Sequence, residues 1–101
     1  MSVEFFTPEK NTYTIYSKSG CPKCIKVKHF LHGVNVAPTI VDCDEYIIEN
    51  REEFLKFIET HAGTAVKVFP MVFYDGEYIG GYEETEKHYN MLSAFSTDVY
   101  F

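Results

Sequence analysis

The chain has 101 residues, of which 46% are hydrophobic and 17% aromatic, with a formal net charge of −6. This length predicts one domain, residues 1–101, and the composition is too apolar for a disordered chain. The negative charge argues against a nucleic-acid surface, and neither a bilayer-spanning apolar run nor a secretory signal is visible. We therefore expect a cytoplasmic protein without membrane or nucleic-acid partners.

The first half of the chain predicts a strand, a helix and a second strand. Tyr13–Ser17 alternates bulky and small residues of high β-propensity, which is typical of a strand. Pro22 suits the first turn of a helix, and Gly33 suits its C-terminal cap. Residues 38–42 predict the second strand. Three residues at helical spacing form the predicted buried stripe of the helix: Cys24, Val27 and Leu31.

The second half predicts a helix, a hairpin and a last helix. Asn50 and Glu53 form a capping-box pattern at the start of a helix that Gly63 ends. Asp75-Gly76 is a strong hairpin signal between strands at 70–74 and 77–80. The last helix has a predicted apolar stripe: His88, Met91, Leu92 and Phe95. The order β-α-β-α-β-β-α predicts an α/β protein, with three helices covering a four-stranded mixed sheet.

Cys21 and Cys24 form a Cys-x-x-Cys motif at the junction of the first strand and helix. Cys21 is predicted at the helix N-terminus, where unpaired amides and the helix dipole favour an anion. From Lys10 to Val41 the sequence has five lysines and no carboxylate. Such surroundings lower the pKa of a thiol from about 8.5 to a range of about 3.5–7.5, which makes it a nucleophile. Cys24, on the buried stripe, would be the shielded partner that resolves a disulfide at Cys21.

Two other interpretations of the motif are a zinc site and a pair of inert thiols. His29 and His32 follow in the same helix, but Cys21 and His32 would lie about 16 Å apart at ~1.5 Å per residue. Ligands of one zinc ion lie within about 4 Å of each other, so these histidines are expected to be solvated. Cys43 has no close partner in sequence and is expected at a strand end or in a loop.

Three segments, in order, resemble the glutaredoxin family. They are residues 16–24 (Tyr-Ser-Lys-Ser-Gly-Cys-Pro-Lys-Cys), Phe69-Pro70, and residues 80–84 (Gly-Gly-Tyr-Glu-Glu). Their spacing and the intervening helices match the family over about residues 12 to 96. The resemblance implies a thioredoxin fold and a groove that binds glutathione beside the nucleophile.

By this resemblance Cys21 is the nucleophile and Cys24 the resolving cysteine of a dithiol enzyme. Lys18 matches the lysine that attracts a glutathione carboxylate, and Pro70 matches a cis-proline facing the active site. The backbone of Phe69 would pair with the cysteinyl unit of glutathione as a strand-like rung.

The resemblance also assigns the opposite side of the groove. Gly80 and Gly81 would let the ligand approach the main chain. The amides of Tyr82 and Glu83 would bind the γ-glutamyl carboxylate, and Glu84 would lie near its ammonium group. Arg51 would be a second partner of the glycyl carboxylate.

The chain departs from the family pattern at Lys23, at Val68-Phe69, where the family commonly has Thr-Val, and in residues 60–67, which form a slightly longer stretch. Lys23 stands where the family commonly has Tyr, so it removes an aromatic wall and adds charge beside Cys21. Phe69 is bulkier than the usual residue. None of these changes removes a group that the reaction needs.

The implied function is a glutathione-dependent thiol-disulfide oxidoreductase that reduces protein disulfides and glutathione-mixed disulfides. Its expected partners are glutathione, as co-substrate, and disulfide-bearing or glutathionylated proteins; no metal is expected, and the protein is expected to be a monomer. One alternative is a thioredoxin-like electron donor, against which the lack of Trp and of Gly-Pro between the cysteines weighs. The other is a protein that binds a glutathione-ligated iron–sulfur cluster, a behaviour associated with relatives that have one active-site cysteine.

Overall fold

The strands form one mixed sheet. The computed structural model describes the backbone of residues 4–98 and the side chains of residues 4–94. Its elements are β1 (Tyr13–Ser17), α1 (Pro22–Gly33), β2 (Thr39–Asp42), α2 (Asp44–Ala62), β3 (Met71–Tyr74), β4 (Glu77–Gly80) and α3 (Tyr82–Asp98). The strand order is β2-β1-β3-β4; β1 is parallel to β2, and the pairs β1–β3 and β3–β4 are antiparallel. The predicted α/β class and element order are confirmed.

Helices cover both faces of the sheet, so β1 is buried along its whole length. One face packs against α2 through a cluster of buried residues: Tyr16, Phe54, Ile58 and Phe73. The opposite face packs against α1 through a second cluster: Ile15, Val27, Leu31 and Val72. Tyr82, at the start of α3, packs on this second cluster. The central strand therefore gives a rigid support to the loop that follows it and carries Cys21.

The helix α1 begins at Pro22 as predicted, but Gly33 is not its cap. Gly33 is the last helical residue, and the left-handed residue that turns the chain is Asn35, with a φ of 63°. The N–H of Val36 donates to the carbonyl of Leu31 at 2.8 Å. The helix is thus closed by backbone bonds from residues beyond Gly33.

The helix α2 begins at Asp44, earlier than the predicted cap at Asn50. Asn50 instead has non-helical angles, φ −141° and ψ 46°, and forms a kink inside the helix. The N–H of Asp44 donates to the Asp42 carboxylate at 3.0 Å, and acidic residues in the first turn suit the helix dipole. Gly63 ends the helix in the left-handed region, φ 78°, as predicted.

The hairpin between β3 and β4 and the last helix are confirmed, but two residues of the predicted α3 stripe, Met91 and Leu92, are exposed. Asp75 and Gly76 both have positive φ, as a type I′ turn requires. In α3 the fully buried residue is Thr85, while Met91 is 58% and Leu92 38% exposed. His88 packs against Tyr13 and Tyr74, and the side chain of Phe95 lies outside the described residues. Among the side chains of α3 that the structure describes, those of the first turns thus pack on the sheet.

Candidate active site

Cys21 is the N-cap residue of α1. Its φ and ψ are −111° and 103°, and its Sγ accepts a hydrogen bond from the Cys24 N–H at 3.2 Å. No acidic residue lies in the first turn of α1, which is described in full. An amide donor and the positive end of a helix dipole both stabilise a thiolate over a thiol. The Cys21 sulfur therefore lies at the N-terminus of α1 beside a main-chain donor, as the sequence predicted.

All three cysteines are buried, but Cys21 keeps 7% of its surface exposed, more than the other two. Cys24 is 1% exposed and Cys43 is fully buried. Burial raises the pKa of Cys24 to about 11, and a hydrogen bond from its thiol to Cys21 adds to this shift. Burial, reinforced by the negative charge of Asp42, raises the pKa of Cys43 to about 12. Both keep their protons at neutral pH, so the three thiols of the chain are not equivalent.

A groove of about 360 Å³ brings together most of the residues that the sequence placed in the site. We call it the Pro70 groove. It is lined by Lys23 from α1, the loop 64–70, Tyr78, and residues 81–84 at the start of α3. The Phe69–Pro70 peptide bond is cis, as the resemblance implied.

The junction of β4 and α3 shapes one wall of this groove. The N–H of Gly81 donates to Oε1 of Glu84 at 2.8 Å, and the Gly81 carbonyl accepts the N–H of Thr85. Glu84 therefore caps the helix α3. Gly80 has a φ of 129°, and a Cβ there would lie 2.6 Å from Cγ of Glu84, so only glycine fits.

Lys23 and Glu83 form an ion pair across the Pro70 groove. The distance from Nζ to Oε2 is 2.8 Å, and the side chains are 55% and 58% exposed. This hydrogen bond holds the pKa of Glu83 below its usual value, and the carboxylate also accepts its own backbone N–H. The amide expected to bind a ligand carboxylate is thus already partnered. The stretch around Cys21 has no carboxylate in the sequence, but the fold brings Glu83, from a distant part of the chain, next to Lys23.

Cys21 and Lys18 line a second depression, on the other side of the N-terminus of α1. This Cys21 hollow, of about 430 Å³, is lined by residues 17–21, Ile25, Lys28, Ile40 and Asp42. Neither Cys21 nor Lys18 is among the residues that line the Pro70 groove. The ammonium group of Lys18 lies 5.7 Å from the centroid of the Phe69 ring, so this lysine connects the two depressions.

The structure does not bring Arg51 to the site. Arg51 is exposed and lines neither depression, because α2 begins earlier than expected and places it just after the kink rather than in a first turn. Lys67, which the sequence reasoning missed, lines the Pro70 groove. The sequence feature that could have indicated Lys67 as a groove residue is its position in the loop that leads to Pro70.

No group of three or more His, Cys, Asp or Glu side chains among the described residues is arranged to hold a metal ion. No helix within the described part of the chain is long and apolar enough to cross a membrane.

Comparisons with known proteins match this arrangement. A family model described as glutaredoxin matches residues 13–79. Glutaredoxin 1 of Rickettsia conorii is 31% identical over 71 residues, which are 70% of this chain and 65% of that protein. The chain spans about half to two thirds of the length of the first curated relatives it matches.

Solved structures show the same fold. Glutaredoxin 1 from Francisella tularensis, complexed with cacodylate, has a TM-score of 0.71 and 25% identity, covering 82% of this chain and 96% of that one. The buckwheat glutaredoxin–glutathione complex has a TM-score of 0.63 and 23% identity, covering 79% of this chain and 70% of that one. The similarity to both structures covers most of the chain described here.

Proposed function

Since the chain belongs to the glutaredoxin family, we propose that it is a glutathione-dependent oxidoreductase that reduces protein disulfides and glutathione-mixed disulfides. Cys21 is the nucleophile of this reaction and Cys24 is the resolving thiol. The protein acts as a cytoplasmic monomer, with glutathione and disulfide-bearing or glutathionylated proteins as its partners.

The single observation that carries the proposal is the difference among the three cysteines. Cys21 caps a helix and accepts an amide hydrogen bond, whereas burial keeps the protons on Cys24 and Cys43. A thiolate, not a thiol, attacks a disulfide. This environment therefore selects one sulfur for the first step.

The reaction with a glutathione-mixed disulfide has two balanced steps. The Cys21 thiolate attacks the glutathionyl sulfur, the old S–S bond breaks, and the protein thiolate leaves and takes a proton from solvent. A glutathione thiolate then attacks the glutathionyl sulfur on Cys21, which gives glutathione disulfide and regenerates the Cys21 thiolate. Alternatively, Cys24 loses its proton and attacks the Cys21 sulfur, which forms the Cys21–Cys24 disulfide and releases glutathione.

Several groups that line or border the Pro70 groove support glutathione as its ligand. Lys67 offers a cation to the glycyl carboxylate, and the backbone of Phe69 borders the groove before the cis bond. The start of α3 offers the amide of Tyr82 to the γ-glutamyl carboxylate. Glu84 keeps one carboxylate oxygen for the ligand ammonium group while the other caps the helix.

A glutathione-coupled assay on a small glutathione-mixed disulfide tests this function. We expect Cys21→Ser to abolish turnover, and Cys24→Ser to retain the route that needs one cysteine. Cys43→Ser serves as the matched control, because Cys43 lines neither the Pro70 groove nor the Cys21 hollow. Activity in Cys21→Ser together with loss in Cys24→Ser would show that the roles are reversed.

A further inference from the structure

We propose that the Cys21 hollow receives the substrate protein, as an extended acidic segment with an apolar side chain, while Cys21 is disulfide-bonded to it. This inference rests on the proposed function, because it concerns the protein half of the reaction. In that step the Cys21 thiolate attacks one sulfur of a protein disulfide. A Cys21–protein disulfide forms, and the second protein sulfur leaves as a thiolate that solvent protonates.

The position of Cys21 is the first argument. Cys21 lines the hollow, and the Pro70 groove lies on the far side of the α1 N-terminus. A substrate segment tethered to Cys21 that filled the Pro70 groove would exclude the glutathione needed for its release. A segment in the hollow leaves that groove open, so both partners can be present at once.

The hollow continues along an exposed face of α1. Four residues at i, i+3, i+4 and i+7 spacing form this face: Ile25, Lys28, His29 and His32. Lys28 and Ile40 line both the hollow and an adjoining depression formed with His29, His32 and residues 36–38.

The surface is apolar at its centre. Ile25 is 55% and Ile40 50% exposed, and both line the hollow. Ile40 lies on β2, which is an edge strand of the described sheet. An edge strand has unpaired main-chain groups that an extended segment can bind, while an apolar side chain fits between the two isoleucines.

The charge of this surface selects an acidic segment. Lys18 and Lys28 line the hollow with one carboxylate, Asp42. Asp44, nearby, accepts hydrogen bonds from Ser19 and also interacts electrostatically with Lys18 and Lys28, which offsets part of their charge in the hollow itself. Among the described residues no carboxylate lines the continuation towards His32, although the whole chain has a net charge of −6. Acidic side chains are therefore favoured towards the His32 end.

The test measures how fast Cys21 captures two activated disulfides in the Cys24→Ser protein. One is a nine-residue peptide whose cysteine carries a 2-thiopyridyl group and is flanked by leucine and two glutamates. The other is 2-hydroxyethyl 2-pyridyl disulfide, which has the same leaving group and no peptide. Both require the same Cys21 thiolate. The ratio of the peptide's rate constant to that of the small disulfide is therefore independent of any change in the ionisation of Cys21 or in the folded fraction.

We expect Lys28→Glu and Ile40→Ser each to lower this ratio about three- to tenfold, the range of one rim charge or apolar contact. Lys28→Arg keeps the charge and should keep the ratio. Lys56→Glu, an equal charge change on α2, is the matched control. For a peptide with lysines in place of the glutamates, Lys28→Glu should raise this ratio above its value in the protein that keeps Lys28.

An unchanged ratio in both hollow variants, with both disulfides still captured, would overturn the docking surface and leave the proposed function intact. A wild-type preference for the lysine peptide would also overturn it. Failure of Cys21 to react with either disulfide would instead contradict the proposed function itself.

Discussion

At the scale of single residues, Glu83 has the least expected role. Its carboxylate accepts its own backbone N–H and pairs with Lys23 at 2.8 Å. It thus lies where the γ-glutamyl carboxylate of glutathione is proposed to bind. Because the pair is half-exposed, water and salt weaken it, and the ligand can displace it at small cost.

Replacing Glu83 by Gln should therefore improve glutathione binding. The variant removes a like charge from the carboxylate position and frees Lys23 for the ligand. We expect KM for glutathione to fall about two- to fivefold, the range of an exposed ion pair, with little change in kcat. Steady-state kinetics with varied glutathione measures this effect.

Glu86→Gln is the control for the loss of one negative charge, since Glu86 lies on α3 but does not line the Pro70 groove. An equal KM for both variants would show that Glu83 does not compete with the ligand. A higher KM in Glu83→Gln would show that this carboxylate assists binding.

At the scale of elements, the junction of β4 and α3 determines the wall of the Pro70 groove. Gly80 needs its positive φ, and Glu84 packs where a Cβ would project. The same Glu84 caps α3 through the Gly81 N–H. The contact between Gly80 and Glu84 therefore joins the end of β4, the start of α3 and the wall of the Pro70 groove.

Gly80→Ala should destabilise the protein by about 1–3 kcal/mol, because it adds backbone strain and displaces Glu84. Gly33→Ala is the matched control: no atom lies within 4 Å of a Cβ at Gly33 and its φ is not positive, so alanine should stabilise by about 0.5–1 kcal/mol. Urea unfolding of both variants measures the difference. Equal stability of the two variants would refute this view of the junction.

At the scale of the whole molecule, several buried groups hold their protons more tightly than in an unfolded chain. Burial raises the pKa of Cys24 to about 11, and of Cys43 and Tyr13 to about 12. Above about pH 8.5 the unfolded chain loses protons from such thiols while the folded protein keeps them. The stability that these groups contribute is complete below that pH and is lost as pH rises towards 12.

The free energy of unfolding should therefore fall as pH rises above about 9, by about 1.4 kcal/mol per pH unit for each retained proton. Cys43→Ala should unfold more easily at neutral pH because of its cavity, yet show a shallower decline in alkali. Urea titrations under reducing conditions at several pH values measure both slopes. Parallel slopes for the two proteins would show that Cys43 does not hold its proton as described.

The fold was predictable because its signals are local. Pro22 at a helix start, Gly63 at a helix end and Asp75-Gly76 at a hairpin each act over a few residues. The start of α2 was not predictable, since Asp44 is held by Asp42, while the strong capping pattern at Asn50 falls on a kink. The spacing of residues in α3 predicted the helix, but periodicity does not encode what packs on a face, so the exposure of Met91 and Leu92 was not predictable.

The site was predictable where the family pattern has fixed spacing, as at Cys21, Pro70 and Gly81. The ion pair of Lys23 with Glu83 was not, because it joins two elements that only the folded sheet brings together. Arg51 lies outside the groove because α2 begins at Asp44 and has a kink at Asn50, which no local signal indicated.

The most direct measurement is to treat the Cys24→Ser protein with glutathione disulfide at neutral pH and map the modified residue by mass spectrometry of its peptides. A single glutathione on Cys21, with Cys43 unmodified, is the expected result. Glutathione on Cys43, or no modification at all, would contradict the claim that Cys21 is the one sulfur that the fold prepares for attack.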